Sequence, residues 1–334
     1  MGANKHRKRL TDNLHRAHLG ISEADSTNPK KRLVSVSGGK DSTATLLVAL
    51  ESHPHDEVMA AFADTGNEHE ATYEYVHYLE RALGVPIKWL RQDFSDWWAQ
   101  RRTYVAEKWP EKGVDAATIA RAFAVYDKGP TGNPYLDLCI IKNRFPSRRA
   151  QFCTQFLKTE PLTEYALDLI DEHGAVESWQ GVRADESPNR AKLPEREDVG
   201  GGYSIFRPIL KWSVAQVFAQ HDKHGIVPNP LYSKGMGRVG CMPCVNANKA
   251  EIREIAKRFP EHIDRIEEWE SIVAAVSKRH AATFFAAPGD NDTAHERGNI
   301  RQVVEWSKTT RGGVQRDLLN SEALACSSAY GLCE

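Results

Sequence analysis

The sequence predicts an α/β protein built on a doubly wound parallel sheet. Short apolar segments rich in β-branched residues alternate with segments of helical periodicity over roughly the first ninety residues. The first apolar segment enters its helix through a Ser-Gly-Gly turn, and a polar turn follows the second. Strand, helix, strand, helix, strand is the order that a parallel sheet covered by helices requires.

The first strand is predicted at residues 33–36, and the turn after it is the most informative stretch of the chain. Paired glycines let the backbone approach a ligand closely, and the N-terminus of the next helix adds positive potential. Serine hydroxyls and the Lys40 ammonium add further donors. The pattern predicts a phosphate or pyrophosphate site formed by Ser37, Gly38, Gly39, Lys40, Asp41 and Ser42.

This turn does not have the spacing of a Walker A loop. That motif requires a glycine five residues before its Gly-Lys pair and a serine or threonine directly after the lysine. Val34 and Asp41 occupy those two positions. A nucleotide-binding loop of another class is therefore expected.

Two further strands are predicted at residues 57–64 and 84–90, separated by a helix over residues 73–83. Ligands of parallel sheets bind beyond the carboxyl ends of the strands, which places Asp64 beside the phosphate loop. We expect Asp64 to coordinate Mg²⁺ or to hold a ribose hydroxyl. The same carboxylate can also cap the helix that follows.

The rest of the chain divides by composition. Residues 1–32 form a basic arm, which either tracks a phosphate backbone or is a solvated extension. Residues 92–137 are dense in aromatic and charged residues and predict a helical insertion, whose tryptophans either stack on bases or close a core. Residues 251–334 predict a helical region packed on the sheet, followed by a tail that carries two cysteines.

Six cysteines are too few and too unevenly placed for a disulfide scaffold in a chain of 334 residues. Cys241 and Cys244 have the spacing that puts two thiolates on one metal centre. Cys139 and Cys153 are candidates for the third and fourth ligands, and zinc and iron–sulfur clusters share this spacing. The basic run at residues 142–149 lies between Cys139 and Cys153. It predicts either a binding site for an anionic substrate or a solvated helix start.

Charge and hydropathy exclude several classes of protein. The formal net charge of −1 argues against a globally basic nucleic-acid coat. No apolar run is long enough to span a bilayer, and the first thirty residues have no apolar signal core. A cytoplasmic protein without a membrane partner is expected.

Several segments, in order, resemble the phosphoadenosine phosphosulfate (PAPS) reductase family of the PP-loop, or adenine nucleotide α-hydrolase-like, superfamily. The resemblance covers roughly residues 33–250 and predicts one PP-loop ATP pyrophosphatase or PAPS reductase-like domain over that range. The matching segments are residues 37–42, residues 64–68 with Thr72 and Tyr73, residues 152–161, residues 181–190, residues 207–212 and residues 229–232 with Gly240 and Cys241.

The resemblance implies a site that cleaves ATP between its α- and β-phosphates with Mg²⁺. Lys40 and Asp41 are then the catalytic residues of the loop, and Gly181, Arg183 and Arg190 bind the nucleotide. The intact loop is similar to that of the ATP-using branch, which includes the DNA phosphorothioation enzyme DndC and phage members. This branch implies an adenylated acceptor, with nucleic acid as the expected acceptor and a cysteine desulfurase as the sulfur source.

The resemblance also favours a 4Fe–4S cluster over zinc at Cys139, Cys153, Cys241 and Cys244. Ligation by three cysteines with an open iron, and ligation by four, both remain open. PAPS reductases carry a catalytic cysteine in a C-terminal tail, which makes Cys333 a candidate nucleophile here. A fourth cluster ligand and a tail without catalytic importance are the alternatives for Cys326 and Cys333.

Two other functions are consistent with the same residues. The first is a thiol-dependent reductase of PAPS or adenylyl sulfate that releases sulfite and takes electrons from thioredoxin. The second is a non-catalytic subunit that binds a nucleotide and a cluster within a larger complex. An ATP-cleaving enzyme that supports iron–sulfur-dependent sulfur transfer is the preferred prediction, because the phosphate loop is intact.

Overall fold

The computed structural model describes residues 30–285 and 298–310. In this part of the chain six strands form one sheet in the order β3-β2-β1-β4-β6-β5. All neighbouring pairs are parallel except β5 and β6, which are antiparallel. The strands are β1 (Lys31–Val36), β2 (Val58–Asp64), β3 (Ile87–Arg91), β4 (Val176–Trp179), β5 (Arg196–Gly200) and β6 (Tyr203–Phe206).

Both faces of the sheet are covered, as the alternation along β1 shows. Val34 and Val36 pack against helices α1 (Lys40–Ser52) and α2 (Glu70–Leu83) on one face. Leu33 packs against helix α6 (Glu160–His173) on the other face. Because successive strand residues point to opposite faces, an apolar run of this kind is stable only when both faces are buried. The predicted doubly wound sheet is confirmed.

The remaining helical elements lie between and after the strands. The segments Phe152–Thr154 and Gln155–Thr159, the second a π-helical turn, lead directly into α6. Short 3₁₀ turns occur at His55–Glu57, Ala184–Glu186 and Arg190–Lys192. The other helices are α3 (Ser95–Glu111), α4 (Ala116–Tyr126), α5 (Pro134–Lys142), α7 (Val214–Lys223), α8 (Pro230–Ser233), α9 (Lys249–Arg258), α10 (Pro260–Ala275) and α11 (Ile300–Lys308).

The C-terminal helices pack on the insertion, and the prediction that they pack on the sheet is wrong. Helices α3, α4 and α5 share one buried apolar cluster with α9, α10 and α11, and that cluster, as described, contains no strand residue. Trp98 and Trp109 of α3 are buried in it and provide much of its apolar surface. These two tryptophans therefore close a core, and their faces are not available to a base.

Some predictions concern segments outside the described residues. The basic arm before residue 30 and the tail cysteines Cys326 and Cys333 belong to these segments. Among the helices that the structure describes, none combines the length and the apolar character needed to cross a membrane.

Candidate active site

The phosphate loop connects β1 to α1 through Ser37, Gly38 and Gly39. Gly38 has a φ of +78°, and a Cβ at this position would lie 2.7 Å from Cγ2 of Thr72. Glycine is therefore required both by the backbone conformation and by the close approach of α2. Helix α1 begins at Lys40 without a side-chain cap from Gly39. Its N-terminus is the kind of backbone site that binds anions.

Two serines fold this loop through a chain of hydrogen bonds. The Ser37 hydroxyl donates to Oγ of Ser42 at 3.0 Å, and the Ser42 hydroxyl donates to the carbonyl of Gly39 at 3.1 Å. The backbone N–H of Ser37 also donates to Oγ of Ser42 at 3.1 Å. The loop is thereby held in its curved shape by its own side chains.

Three residues that follow strand β6 in the chain form hydrogen bonds to the backbone of the phosphate loop. Nδ2 of Asn229 donates to the carbonyl of Gly38 at 3.1 Å, and the hydroxyl of Tyr232 accepts the Lys40 N–H at 2.9 Å. Nε2 of His221 donates to the carbonyl of Lys40 at 2.9 Å. Burial lowers the pKa of His221 and keeps its ring neutral.

Asp41 is fully buried and binds two cations. Nε of Arg183 donates to its Oδ1 at 2.6 Å, and Nζ of Lys40 donates to its Oδ2 at 2.8 Å. Burial alone would lower the pKa of Arg183, but the carboxylates of Asp41, Glu186 and Asp185 outweigh it and raise that pKa. Asp41 therefore orients Lys40 and Arg183 around the loop.

The loop after β4 completes this side of the site. A Cβ on Gly181 would lie 2.9 Å from the backbone nitrogen of Ser42, so the two segments touch through their backbones. Arg183 follows two residues later, whereas the Arg190 guanidinium is bound to the Glu186 carboxylate. The structure thus brings Gly181 and Arg183 to the phosphate loop and places Arg190 one contact further away.

Asp64 ends β2 as predicted, but its carboxylate is held by neighbours outside the loop. Tyr73 donates its hydroxyl to Oδ1 at 2.9 Å, and the Gly66 N–H donates to the same oxygen at 2.9 Å. Arg91 forms an ion pair with Oδ2. These residues line an open hollow of about 460 Å³ that also contains Trp89, and the phosphate loop does not contribute to its lining.

A second cavity contains three of the four predicted metal-ligating cysteines. Cys153, Cys241 and Cys244 line it together with Thr65, Tyr135 and Lys158. Cys139 is buried on α5, one helical turn after Tyr135, and it interacts electrostatically with Cys153. The four cysteines are thus gathered in one region, although 88 positions separate Cys153 from Cys241 in the sequence.

Polar groups surround the cysteines. Sγ of Cys241 donates to Oε1 of Glu68 at 3.5 Å, and the Thr65 hydroxyl donates to the same oxygen at 2.7 Å. Burial raises the pKa of the Cys153 thiol to about 11 and that of Cys241 to about 12. Burial also acts to lower the pKa of Lys158, but the charges of Cys241, Glu68, Cys244 and Cys153 outweigh it and raise that pKa.

Comparison with known proteins decides the family. The model of the phosphoadenosine phosphosulfate reductase domain matches residues 31–128 and 133–247, more than half of the chain. The chain belongs to this family. It is therefore a PP-loop protein of a nucleotide-binding, enzymatic family, and the family resemblance noted in the sequence is confirmed.

Individual relatives differ in how much of them the chain spans. An uncharacterized 37.8 kDa protein in the gpa 5′ region of Escherichia phage 186 is 45% identical over 327 residues, which is 90% of this chain and 96% of that protein. The adenosine 5′-phosphosulfate reductase of Allochromatium vinosum is 36% identical over 104 residues, or 30% of this chain and 37% of the reductase. The chain therefore spans little more than a third of that enzyme's length.

The phosphate complex of the PAPS reductase from Candida auris aligns with 70% of this chain and 89% of its own, at 17% identity and a TM-score of 0.38.

Several residues of the PAPS reductase domain were not assigned a role from sequence. Glu68 lies in a segment that matched the family, but nothing local indicated that its carboxylate would contact a cysteine. Asn229 and Tyr232 also lie in a matching segment, and their partners are about 190 residues away. His221 had no local signal at all, because it lies on an ordinary amphipathic helix.

Proposed function

We propose that this protein binds ATP at residues 37–42 and cleaves it to AMP and pyrophosphate in order to adenylate an acceptor. The observation that carries this proposal is the intact loop, shaped by Ser37 and Ser42 and braced by the buried contact between Asp41 and Arg183. Fixed donors of this kind stabilise phosphate charge without reorganising during the reaction. Membership of the PAPS reductase domain family supports a nucleotide ligand at this loop.

The adenylation step is an in-line displacement at the α-phosphorus. An acceptor oxygen forms a bond to the α-phosphorus while the bond to the bridging oxygen of the β-phosphate breaks, and pyrophosphate leaves. The positive potential at the N-terminal end of α1 and the Lys40 ammonium bind the β- and γ-phosphates, where negative charge develops. ATP enters as its Mg²⁺ complex. Asp64 fits a contact to that ion better than Asp41, because among the described residues a cation binds only one oxygen of Asp64, whereas cations bind both oxygens of Asp41.

The cysteine cavity fits a 4Fe–4S cluster better than zinc. The sulfur ligands of one zinc ion lie about 3.8 Å apart, because four Zn–S bonds of about 2.3 Å point to the corners of a tetrahedron. No three of these cysteine sulfurs lie within 4.8 Å of one another in the described part of the chain. A cluster would accept thiolates that lie further apart than the ligands of one zinc ion. Cys153, Cys241 and Cys244 would hold it, with Cys139 as the fourth ligand.

The second half-reaction replaces the adenylyl group by sulfur. A cluster held by these cysteines would supply a place to hold sulfide. The persulfide of a cysteine desulfurase is reduced by two external thiols, which become a disulfide, and this reduction releases hydrosulfide. Hydrosulfide attacks the adenylated centre of the acceptor, the bond to the AMP oxygen breaks, and the thiolated acceptor and AMP are released. Lys158 lies in the same cavity, and its ammonium balances the negative charge of thiolates and sulfide there.

The likeness to adenosine 5′-phosphosulfate reductases favours a second candidate function. A reductase would transfer the sulfite group from PAPS or adenylyl sulfate to a thiol and release the nucleotide. A second thiol, from thioredoxin, would then release sulfite and leave a disulfide. Cys333, the candidate nucleophile for this reaction, lies outside the described residues.

An anaerobic assay separates these functions. We expect pyrophosphate and AMP from ATP, a loss of at least tenfold in Lys40→Met, and no loss in Lys88→Met, which removes an exposed charge from β3. Sulfite from PAPS without ATP cleavage would establish the reductase instead. Tight ATP binding without any product would establish the non-catalytic subunit.

The metal centre is tested on the same sample by measuring iron, acid-labile sulfide and zinc. We expect iron and sulfide with an absorbance band in the visible range, reduced in Cys244→Ser. Stoichiometric zinc without iron would contradict the assignment. This readout is independent of catalytic activity.

A further inference from the structure

Five cations on α3, at the end of α5 and in the segment after it have no carboxylate partner among the described residues. Within the described residues, no ion pair is formed by Arg101, Lys142, Arg144, Arg148 or Arg149, which we call the cationic strip. The whole chain has a formal net charge of −1, so the strip does not reflect a general excess of basic residues. A concentration of unpaired positive charge raises the local potential and attracts polyanions.

Aromatic rings lie directly beneath this strip. Nζ of Lys142 is 4.3 Å from the ring centroid of Phe156 and 5.3 Å from that of Trp97. The Arg101 guanidinium is 4.8 Å from the ring centroid of Tyr104. An open groove of about 370 Å³ lies between α3 and α5 at this point, and it is lined by Trp97, Gln100, Arg101, Tyr104, Ile141 and Lys142.

The cationic strip runs from this groove to the cysteine cavity. The Arg144 guanidinium lies 5.5 Å from the ring centroid of Phe152, the residue before Cys153. Nη2 of Arg148 donates to the carbonyl of Ala247, in the turn that follows Cys244, at 3.4 Å. Gln151 lines the cavity and donates its side-chain amide to the carbonyl of Arg148 at 3.2 Å. The strip therefore borders the mouth of the cavity.

We propose that the cationic strip binds a single-stranded nucleic acid and leads it to the cysteine cavity as the acceptor. The acceptor role rests on the function proposed above, whereas the binding surface rests on the strip itself. An arginine guanidinium can donate hydrogen bonds to two oxygens of one phosphate, and four of the five cations are arginines. Trp97 and Tyr104 line the groove, so an unpaired base that enters it can contact their rings.

A nucleic acid fits this surface better than an acidic peptide does. Three of the five charges, on Arg101, Lys142 and Arg144, lie within 5.5 Å of an aromatic ring centroid. A nucleic acid offers phosphates to such charges and bases to such rings. A single strand fits better than a duplex, because only an unpaired base can reach a ring inside the groove between α3 and α5. The phosphodiester next to that base would lie closest to the mouth of the cavity.

The test measures binding of fluorescein-labelled DNA and RNA strands of one mixed sequence, about 20 nucleotides long, by fluorescence anisotropy at several salt concentrations. The variant Arg144→Ala/Arg148→Ala/Arg149→Ala removes three exposed charges of the strip. The control Lys88→Ala/Lys211→Ala/Lys223→Ala removes three exposed charges from other elements. Circular dichroism checks that both variants fold.

We expect the strip variant to bind both strands at least tenfold more weakly, and the control to bind like the parent protein. The slope of log affinity against log salt should fall by about 2 in the strip variant, because each lost phosphate contact removes about 0.7. A single Tyr104→Leu variant should weaken binding about tenfold while leaving the salt slope unchanged.

Equal binding by the strip variant and the control would overturn the inference. So would competition by poly-glutamate as strong as that by the unlabelled strand, which would identify an acidic protein as the partner. Preference for duplex over single strand would also overturn it. This assay contains no ATP, so its result does not depend on whether the protein cleaves ATP. Conversely, a failure to bind strands would not contradict the proposed cleavage of ATP.

Discussion

Arg183 is the residue on which the phosphate loop depends most. Its Nε binds the buried carboxylate of Asp41 at 2.6 Å, and its Nη1 binds Asp185 at 2.5 Å. Removing one member of a buried ion pair leaves the other charge without compensation, which costs far more than losing an exposed pair. The catalytic role of Asp41 stays a prediction from sequence, and the structure shows its buried carboxylate between Lys40 and Arg183.

We predict that Arg183→Ala lowers the free energy of unfolding by about 3 kcal/mol and abolishes ATP binding. Thermal unfolding and nucleotide titration measure the two effects. The control Arg102→Ala breaks an exposed pair with Asp127 and should cost less than about 1 kcal/mol. Unfolding and ATP binding that are unchanged in Arg183→Ala would show that the buried contact does not support the loop.

At this scale the sequence revealed residues that form local patterns and missed those whose partners are distant. Ser37 and Gly38 belong to a short motif whose physical purpose can be derived from the residues themselves. His221 contacts Lys40 across 181 positions of the chain, and no local pattern records such a contact. The grouping of Cys153 with Cys241 was predictable only because cysteines are rare and chemically distinctive.

The loop after β4 contacts the start of helix α1 through backbone atoms. A single added methyl group at this contact would therefore disturb it. A Cβ on Gly181 would lie 2.9 Å from the Ser42 nitrogen and 3.0 Å from the Asp41 carbonyl carbon. Neither atom can move without shifting the start of α1. This contact couples the geometry of the β4 loop to that of the phosphate loop.

We predict that Gly181→Ala weakens ATP binding at least tenfold and destabilises the fold by about 1 to 3 kcal/mol, because overpacking forces the backbone to shift. Gly237→Ala is the matched control, since a Cβ there meets no atom within 4 Å. Calorimetric titration and denaturant unfolding of both variants measure the difference. Equal ATP affinity in the two variants would contradict the close contact.

Elements were predictable where their apolar periodicity is strong. The strands at the centre of the sheet, such as β1 and β2, are buried on both faces and stand out as apolar runs. Strand β5 at the sheet edge, Arg196–Gly200, is charged and carries no such signal. The periodicity of α9 and α10 revealed their apolar faces but not the surface that covers them, so their packing on the insertion was missed.

At the scale of the whole molecule, the C-terminal helices are joined by one buried carboxylate. Oε1 of Glu270 accepts the Phe284 N–H at 2.8 Å, and Oε2 accepts the Ile300 N–H at the start of α11 at 2.9 Å. Burial raises the pKa of Glu270 to about 7, even though both hydrogen bonds act to lower it. The folded state therefore binds a proton here more tightly than the unfolded chain does.

We predict that this group makes the protein less stable as the pH rises. The stability that Glu270 adds by binding its proton more tightly in the folded state is fully present below the ordinary glutamate pKa near 4.5. It is lost as the pH rises past about 7. The difference in unfolding free energy between the parent and Glu270→Gln should decline by up to about 3 kcal/mol over that range. Urea unfolding from pH 4.5 to pH 8 measures it, and a difference that does not change with pH would refute the assignment.

The most direct test of the central claim identifies which bond of ATP is broken. Protein purified without oxygen is incubated with MgATP labelled at the α-phosphorus, together with the single-stranded DNA and RNA probes. A parallel sample also receives PAPS, and the products of both samples are separated. We expect labelled AMP, either free or attached to the acceptor, with an equal amount of pyrophosphate. We expect neither product from the Lys40→Met variant. Labelled ADP, or intact ATP alongside sulfite released from PAPS, would contradict it.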